Sequence, residues 1–481
     1  MGFINNLKRW LSMVLLGKAK EEFDIKPVTS ARTEQLVNMC AQIYQGAPYW
    51  LENGVKTVNF AEAICSEVAR LTTLGIHLEV DGADQEGTRA AYIDKQVNAI
   101  FYKLREWVEY GCAYGTIILK PSDEVIQVMT PDRFVVTEVK NDKITGIVFH
   151  DCVQSPDGKK WYNKLEYHRF LENGLYAVDN RCYVGSSRND AGTPLAIEKS
   201  PWNGLLDHVE IEGIEKPLYG VFRTPNANSR EVNSPLGMPI FSKAIEELKD
   251  LDVAYSRNST EIYDSERTVL MDADRLTTGT KLIDGLKQNS PQSWEVKRKQ
   301  MKLPRFVNNV EGDGSSNYYQ EINPTLNTEV RVNGINNLLS QIGFKCGFSN
   351  GYFVFNEKSG FATATQVEAD QQRTVQLVKD MRDKLESALE DLCYALDKFA
   401  DLYDLAPVGA WELKFDFGDI LYSYEEDKAT WWQYVQQGKM PAWKYFEKFE
   451  GMTKDEAIEL LQEAAEANVE TQQLFARVGN E

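Results

Sequence analysis

The sequence predicts an α+β protein in which helical segments flank a strand-rich block. Between Thr116 and Gly185, short stretches rich in β-branched residues alternate with turn residues. On either side of that block, apolar residues recur every three to four positions. The composition, 43% hydrophobic and 26% charged over 481 residues, is ordinary globular usage and enough for a sizeable core.

The elements follow in chain order. Ile4, Leu7, Leu11, Val14 and Leu15 fall at helical spacing. Lys8 and Arg9 precede the apolar run 10–16, but that run is at the short limit and Gly-Lys-Ala-Lys-Glu-Glu follows it. An amphipathic docking helix is therefore favoured over a signal peptide. Residues 30–75 read as helical with a loop near Gly46-Ala-Pro48; Ala61, Ile64, Val68 and Leu71 form a stripe. Residues 88–112 read as one helix, with Ile93, Val97, Ile100, Phe101, Leu104 and Val108 on one face, ended by Gly111 and Gly115. Strands are expected at 116–120, 125–129, 134–139, 144–149, 165–170 and 182–184. Pro121-Ser-Asp, Pro131-Asp and Asn141-Asp separate the first of them, as in one antiparallel meander. Residues 186–238 are rich in Pro, Gly, Asn and Ser and read as loop.

Pro235 and Pro239 introduce a helix with a seam at Phe241, Ile245, Leu248, Leu251 and Tyr255. Residues 266–325 mix short strands, turns and positive charge. A second helix follows Pro324, buried at Val332, Ile335, Leu338, Leu339 and Ile342. This is a hairpin of helices with a small module inserted at its tip. Gly347-Phe-Ser-Asn-Gly351 then leads to the longest helix, opened by the capping box Thr365-Gln-Val-Glu368. It carries the stripe Val378, Met381, Leu385, Ala388, Leu392, Leu396 and Phe399. Trp411 to Phe417 reads as a strand. The acidic C-terminal part is helical from a second capping box, Thr453-Lys-Asp-Glu456.

A net charge of −19 excludes the basic stripe of a sequence-reading DNA binder and suits weak, slippery contact with a polyanion. Seven scattered cysteines without a C-x-x-C read as buried thiols in a reducing compartment, not a disulfide frame or zinc site. No stretch is long enough to span a bilayer. Gly347-Phe-Ser-Asn-Gly351 matches G-x-S-x-G, but a nucleophile elbow needs a preceding strand. Here a helix precedes it, and His77, His150, His168 and His208 all lie upstream of Ser349. Asp416 with Asp419 is open to a two-metal nuclease or, more blandly, to solvated turn formers, as are Asp272 and Asp274. Nucleotide-cradling and zinc-hydrolase motifs are missing. No cofactor, metal site or catalytic residue is therefore expected. The basic cluster Lys297, Arg298, Lys299, Lys302 and Arg305 is open to nucleic acid, to an acidic partner protein or to solvent.

Four stretches carry a family resemblance. They are Gly111-Cys-Ala-Tyr-Gly-Thr-Ile-Ile-Leu with Val128-Met-Thr-Pro-Asp-Arg-Phe134; Ser234-Pro-Leu-Gly-Met-Pro-Ile-Phe241; Gly351-Tyr-Phe-Val-Phe-Asn356 with Thr363-Ala-Thr-Gln-Val-Glu368; and Phe415-Asp-Phe-Gly-Asp419. In order and spacing the chain resembles a tailed-bacteriophage portal protein, of the kind found in siphophages of Gram-positive hosts. The resemblance implies a strand-rich wing (with the N-terminal region, 1–238), a two-helix stem (239–264 and 327–346) and an inserted small α/β clip (265–326). A tunnel loop (347–362), a long kinked wing helix with a closing strand (363–452) and a helical crown (453–481) complete that portal fold. It further implies a structural, non-enzymatic ring, usually a dodecamer, at one capsid vertex. Double-stranded DNA would pass through without sequence specificity. The terminase large subunit, a head–tail adaptor, and major capsid and scaffold proteins would be the partners. Lys345, Phe348, Tyr352, Phe353, Phe355 and Lys358 would face the DNA, the aromatics forming a collar with neighbouring loops. The basic cluster at 297–305 would dock a partner on the clip. The competing readings are another phage head or neck structural protein, and a serine hydrolase or metal-dependent nuclease.

Overall fold

The computed structural model describes residues 17–51, 54–122, 125–188, 190, 192–232, 234–264, 268–271, 306–307, 319–322, 328–354, 364–417, 424–450, 452–454 and 456–463. Ile4 to Leu15, Phe355, Lys358 and the basic cluster at 297–305 lie outside them, as do Asp272, Asp274 and Asp419. The chain divides into two compact units: residues 1–73 with 77–416, and residues 74–76 with 417–481.

In the first unit, α1 (Ala31–Tyr44) and α2 (Phe60–Thr72) bracket the expected loop. Ser30 caps α1, its hydroxyl accepting from the Thr33 amide. The predicted helix over 88–112 is two helices, α3 (Arg89–Phe101) and α4 (Leu104–Tyr114). Thr88 caps α3. The break at Tyr102-Lys103, where Lys103 N–H donates to Ile100 O, has neither Gly nor Pro to announce it. Ile93, Val97, Ile100, Leu104 and Val108 are buried as expected, whereas Phe101, expected on the same face, is exposed at the break.

The expected meander is two sheets. β2 (Thr116–Ser122) pairs with β3 (Val125–Met129) on one edge and β10 (Gly220–Arg223) on the other, all antiparallel. A second sheet runs β4 (Phe134–Lys140), β5 (Lys143–Gln154), β6 (Trp161–Phe170) and β7 (Tyr176–Gly185). The outer edge of β7 is shared by β8 (Thr193–Leu195) and β9 (His208–Ile211). Thus 186–238, read as loop from its composition, supplies three short strands. One core cluster spans both sheets, with Ile118, Met129, Phe149, Tyr219 and Leu236.

Gly115 ends α4 at φ +80°, and a Cβ there would lie 2.4 Å from Gly237 O. Only glycine fits both the left-handed backbone and that approach. Gly115→Ala is expected to lower stability by more than about 1 kcal/mol, whereas Gly204→Ala, in open space, stays within about 0.5 kcal/mol. Thermal unfolding of the two variants checks this.

The first hairpin helix, α5 (Ile245–Asp264), starts six residues after Pro239. Phe241 is buried ahead of it, in a tight turn where Ala244 N–H donates to Phe241 O. Tyr255, expected on the seam, is exposed. Its partner is α6 (Thr328–Cys346), with Leu339 and Ile342 buried. Between them β11 (Thr268–Met271) pairs parallel with β12 (Phe306–Val307) and antiparallel with β13 (Tyr319–Ile322). The hairpin with an inserted module is therefore as read. α7 (Ala364–Leu402) begins one residue before Thr365, placing that threonine within the first turn rather than at the cap. Val378, Met381, Leu385, Ala388, Leu392 and Leu396 are all buried, as expected. β14 (Glu412–Asp416) pairs antiparallel with β1 (His77–Asp81), Val80 and Leu413 lying against Ile93, Val97 and Cys393.

The second unit holds α8 (Tyr424–Gln436), α9 (Ala442–Glu450) and a helical stretch over 456–463. Trp431 meets Phe449 at 5.6 Å between ring centroids and Trp432 meets Tyr445 at 5.0 Å. The Thr453–Glu456 capping box forms in both directions: Thr453 N–H donates to Glu456 Oε2 (2.8 Å), and Glu456 N–H to Thr453 Oγ1 (3.4 Å).

Candidate functional site

The segment 347–354 is a packed elbow between α6 and α7. Gly347, at φ +97°, follows the end of α6. Its amide donates to Phe344 O (3.3 Å) and the Phe348 amide to Gly343 O (2.9 Å). This is the two-bond pattern of a glycine-terminated helix. Ser349 N–H then donates to Thr374 Oγ1 (2.9 Å), and Thr374 N–H to Ser349 Oγ (3.3 Å), pinning the elbow to α7. Arg373 donates to Phe344 O (2.8 Å) and stacks 3.8 Å over the Phe344 ring.

Four aromatic rings close the elbow. Phe348 sits 4.9 Å from Tyr352 and 4.7 Å from Phe353, and Phe353 meets Phe60 of α2 at 5.2 Å. Such pairs contribute about 0.5–1.5 kcal/mol each beyond their burial. Tyr352 Oη donates to Glu67 of α2. Burial and this carboxylate push the phenol up to about 12.

The sequence reading meets the elbow as follows. Phe348 is fully buried within the elbow. Tyr352 and Phe353 are half-buried and pack against rings of their own chain. Lys345 is exposed but pairs with Glu247 of α5. Ser349 is buried and its hydrogen bonds run to Thr374, while His77, His150, His168 and His208 lie on β1, β5, β6 and β9. Asp416 ends β14 opposite His77.

A second constellation lies on β2, β5 and β6. Lys120 and Lys164, both almost fully buried, share Glu166 (2.8 and 2.6 Å) and Asp151 (3.3 and 3.4 Å). His168 Nε2 lies 2.6 Å from Glu166 and its Nδ1 2.9 Å from Tyr176 Oη. Burial alone would raise the Glu166 carboxyl, but Lys120 and Lys164 outweigh it and hold it well below its usual range. Burial holds His168 below its ordinary value despite Glu166, which keeps the imidazole neutral. Each charge has a partner inside the network. The constellation is thus a polar cross-brace between strands.

A profile of the family "Phage portal protein, SPP1 Gp6-like" matches residues 56–471. The chain belongs to this phage portal family. A search of curated proteins returns no match. The matched span takes in the α5/α6 hairpin, its inserted sheet, the elbow and α7. Portal proteins of this family are structural and in general non-enzymatic. The family implies a ring oligomer at a capsid vertex, with DNA. Among the described residues no helix is long and apolar enough to cross a membrane.

Several residues of this portal chain that position its elbow escape a reading of sequence: Glu67, Arg70 and Thr374. Glu67 and Arg70 carry one local signal, their i, i+3 spacing on a helix. Nothing in the sequence joins Glu67 to Tyr352, 285 positions away.

Proposed function

We propose that the chain is the portal, or head–tail connector, subunit. A ring of copies, a dodecamer as the family resemblance implies, surrounds the path by which double-stranded DNA enters and leaves the capsid. In this reading α5 and α6 are the stem and 265–326 the clip where the terminase large subunit and the head–tail adaptor dock. Residues 347–362 are the tunnel loop, with Lys345, Tyr352, Phe353, Phe355 and Lys358 at or near the DNA path. The clip cations Lys297, Arg298, Lys299, Lys302 and Arg305 meet acidic groups of a docking partner. Major capsid and scaffold proteins hold the wing, 453–481 is the crown, and assembly takes place in the host cytoplasm.

The observation that carries this reading is the family match across 56–471, which spans a helix hairpin with a sheet inserted at its tip. The charge of −19 supports it, because walls of mainly negative charge hold a polyanion weakly. Electron micrographs of the concentrated protein test it. Class averages down the axis should show rings with a central channel and cyclic symmetry. Closed two-fold dimers with no channel would refute the reading.

A further inference from the structure

The elbow is tied to α2 through one hydroxyl, and the group that receives it is itself clamped. Arg70 donates through Nε to Glu67 Oε2 (2.8 Å) and through Nη2 to Oε1 (2.7 Å), a two-pronged pair. Tyr352 Oη donates to the same Oε1. The charge of Arg105, on α4, also favours this carboxylate. The Tyr352 ring is held independently, 4.9 Å from both Phe348 and Phe353. Removing the hydroxyl therefore leaves the stacking in place, including Phe353 on Phe60, and cuts only the polar tie to α2.

We propose that Glu67 is a positioning residue for the loop. Clamped by Arg70, it holds Tyr352 and so fixes the point and direction from which the chain leaves residue 354. The inference rests on the reading of 347–362 as a tunnel loop. In a ring, each copy would carry one such tie. Load on a loop tip would reach α2 through it, and α7 through Ser349 and Thr374. The Arg70 hydrogen bond, with help from Tyr352 and Arg105, keeps the Glu67 carboxyl below its usual range. The tie is therefore present at neutral pH and fails as pH falls through that depressed value.

Amide hydrogen exchange of the full-length protein tests the tie, using Tyr352→Phe and Glu67→Gln. Tyr352→Phe should raise exchange over 349–354 about tenfold, the weight of one hydrogen bond to a charged group. Exchange over 378–396 should not change. Glu67→Gln, whose amide oxygen still accepts, should give a smaller rise. After correction for intrinsic rates, the wild-type segment should lose protection on acidification below the carboxylate range, and Tyr352→Phe should lack that acid step. Unchanged protection over 349–354 in Tyr352→Phe overturns the proposal. So does loss of protection that spreads to 378–396, which would make the hydroxyl a support of the core. In a DNA-packaging assay, a loosened segment with unimpaired packaging would leave the tie standing and remove the tunnel-loop reading.

Discussion

Replacing Arg89 with alanine should destabilise the first unit by about 3–5 kcal/mol, the cost of removing one partner of a buried charge pair. Arg89 is 1% exposed, and all five of its N–H bonds find acceptors. Nε donates to Pro407 O; Nη1 to Asp397 O and Oδ1; Nη2 to Asp401 Oδ1 and Ala406 O. The guanidinium thus fastens the C-terminal part of α7, where a cation is favoured, to the turn beyond it. The alanine variant takes this donor from Ala406 O and Pro407 O and leaves Asp397 with Lys398 alone, at 3.7 Å. Arg89→Lys, with three donors and no planar fork, should recover only part of the loss. Thermal unfolding should rank the wild type above Lys and Lys above Ala. Equal midpoints for all three would show that solvent replaces the guanidinium without cost.

Glu166→Ala should cost a similar amount, about 3–5 kcal/mol, for the converse reason. It leaves Lys120 and Lys164 buried with Asp151 as the acid they share, and removes the acceptor of His168. Glu166→Gln keeps the shape and an acceptor for His168 and should lose less. Stability should also decline as pH falls below the ordinary histidine value. His168 and His150 are both held below it by burial, so the unfolded chain takes up protons at these rings first, and acid favours unfolding. At lower pH the depressed carboxyls of Glu166 and Asp151 add to the decline. Midpoints measured between pH 7 and pH 4 should fall steadily in the wild type. The fall should be shallower in a His168→Gln variant; an identical slope would place the titration elsewhere.

What the sequence shows of this fold depends on how far apart the deciding groups lie. The stripe from Val378 to Leu396 is legible because each turn of α7 repeats the same burial, and Thr453 with Glu456 because both bonds are local. The hairpin of α5 and α6 is legible through its two seams, although Pro239 overstated where the first helix starts. β10 is not legible, since four residues inside a Gly- and Pro-rich stretch become a strand only when β2 offers an edge. Arg89 reads as a surface residue because its acceptors lie more than 300 positions away. The same holds at the elbow. Its glycines and aromatics mark a special segment, but the groups that hold it, Phe60 of α2 against Phe353 and Thr374 of α7 on Ser349, are distant in sequence or carry no local signal.

The pairing of β1 with β14 has a consequence for biosynthesis. Asp81 faces Glu412, so the strands are 412 − 81 = 331 positions apart. At about 5–20 residues per second, a ribosome needs roughly 17–66 s to deliver the partner after β1 has emerged. Throughout that interval Leu78 and Val80 lack the cover of Leu413, and β1 keeps an open edge. Nascent chains of this portal should thus be prone to aggregate until residues 412–416 have been made, and products terminated before them should be clients of chaperones.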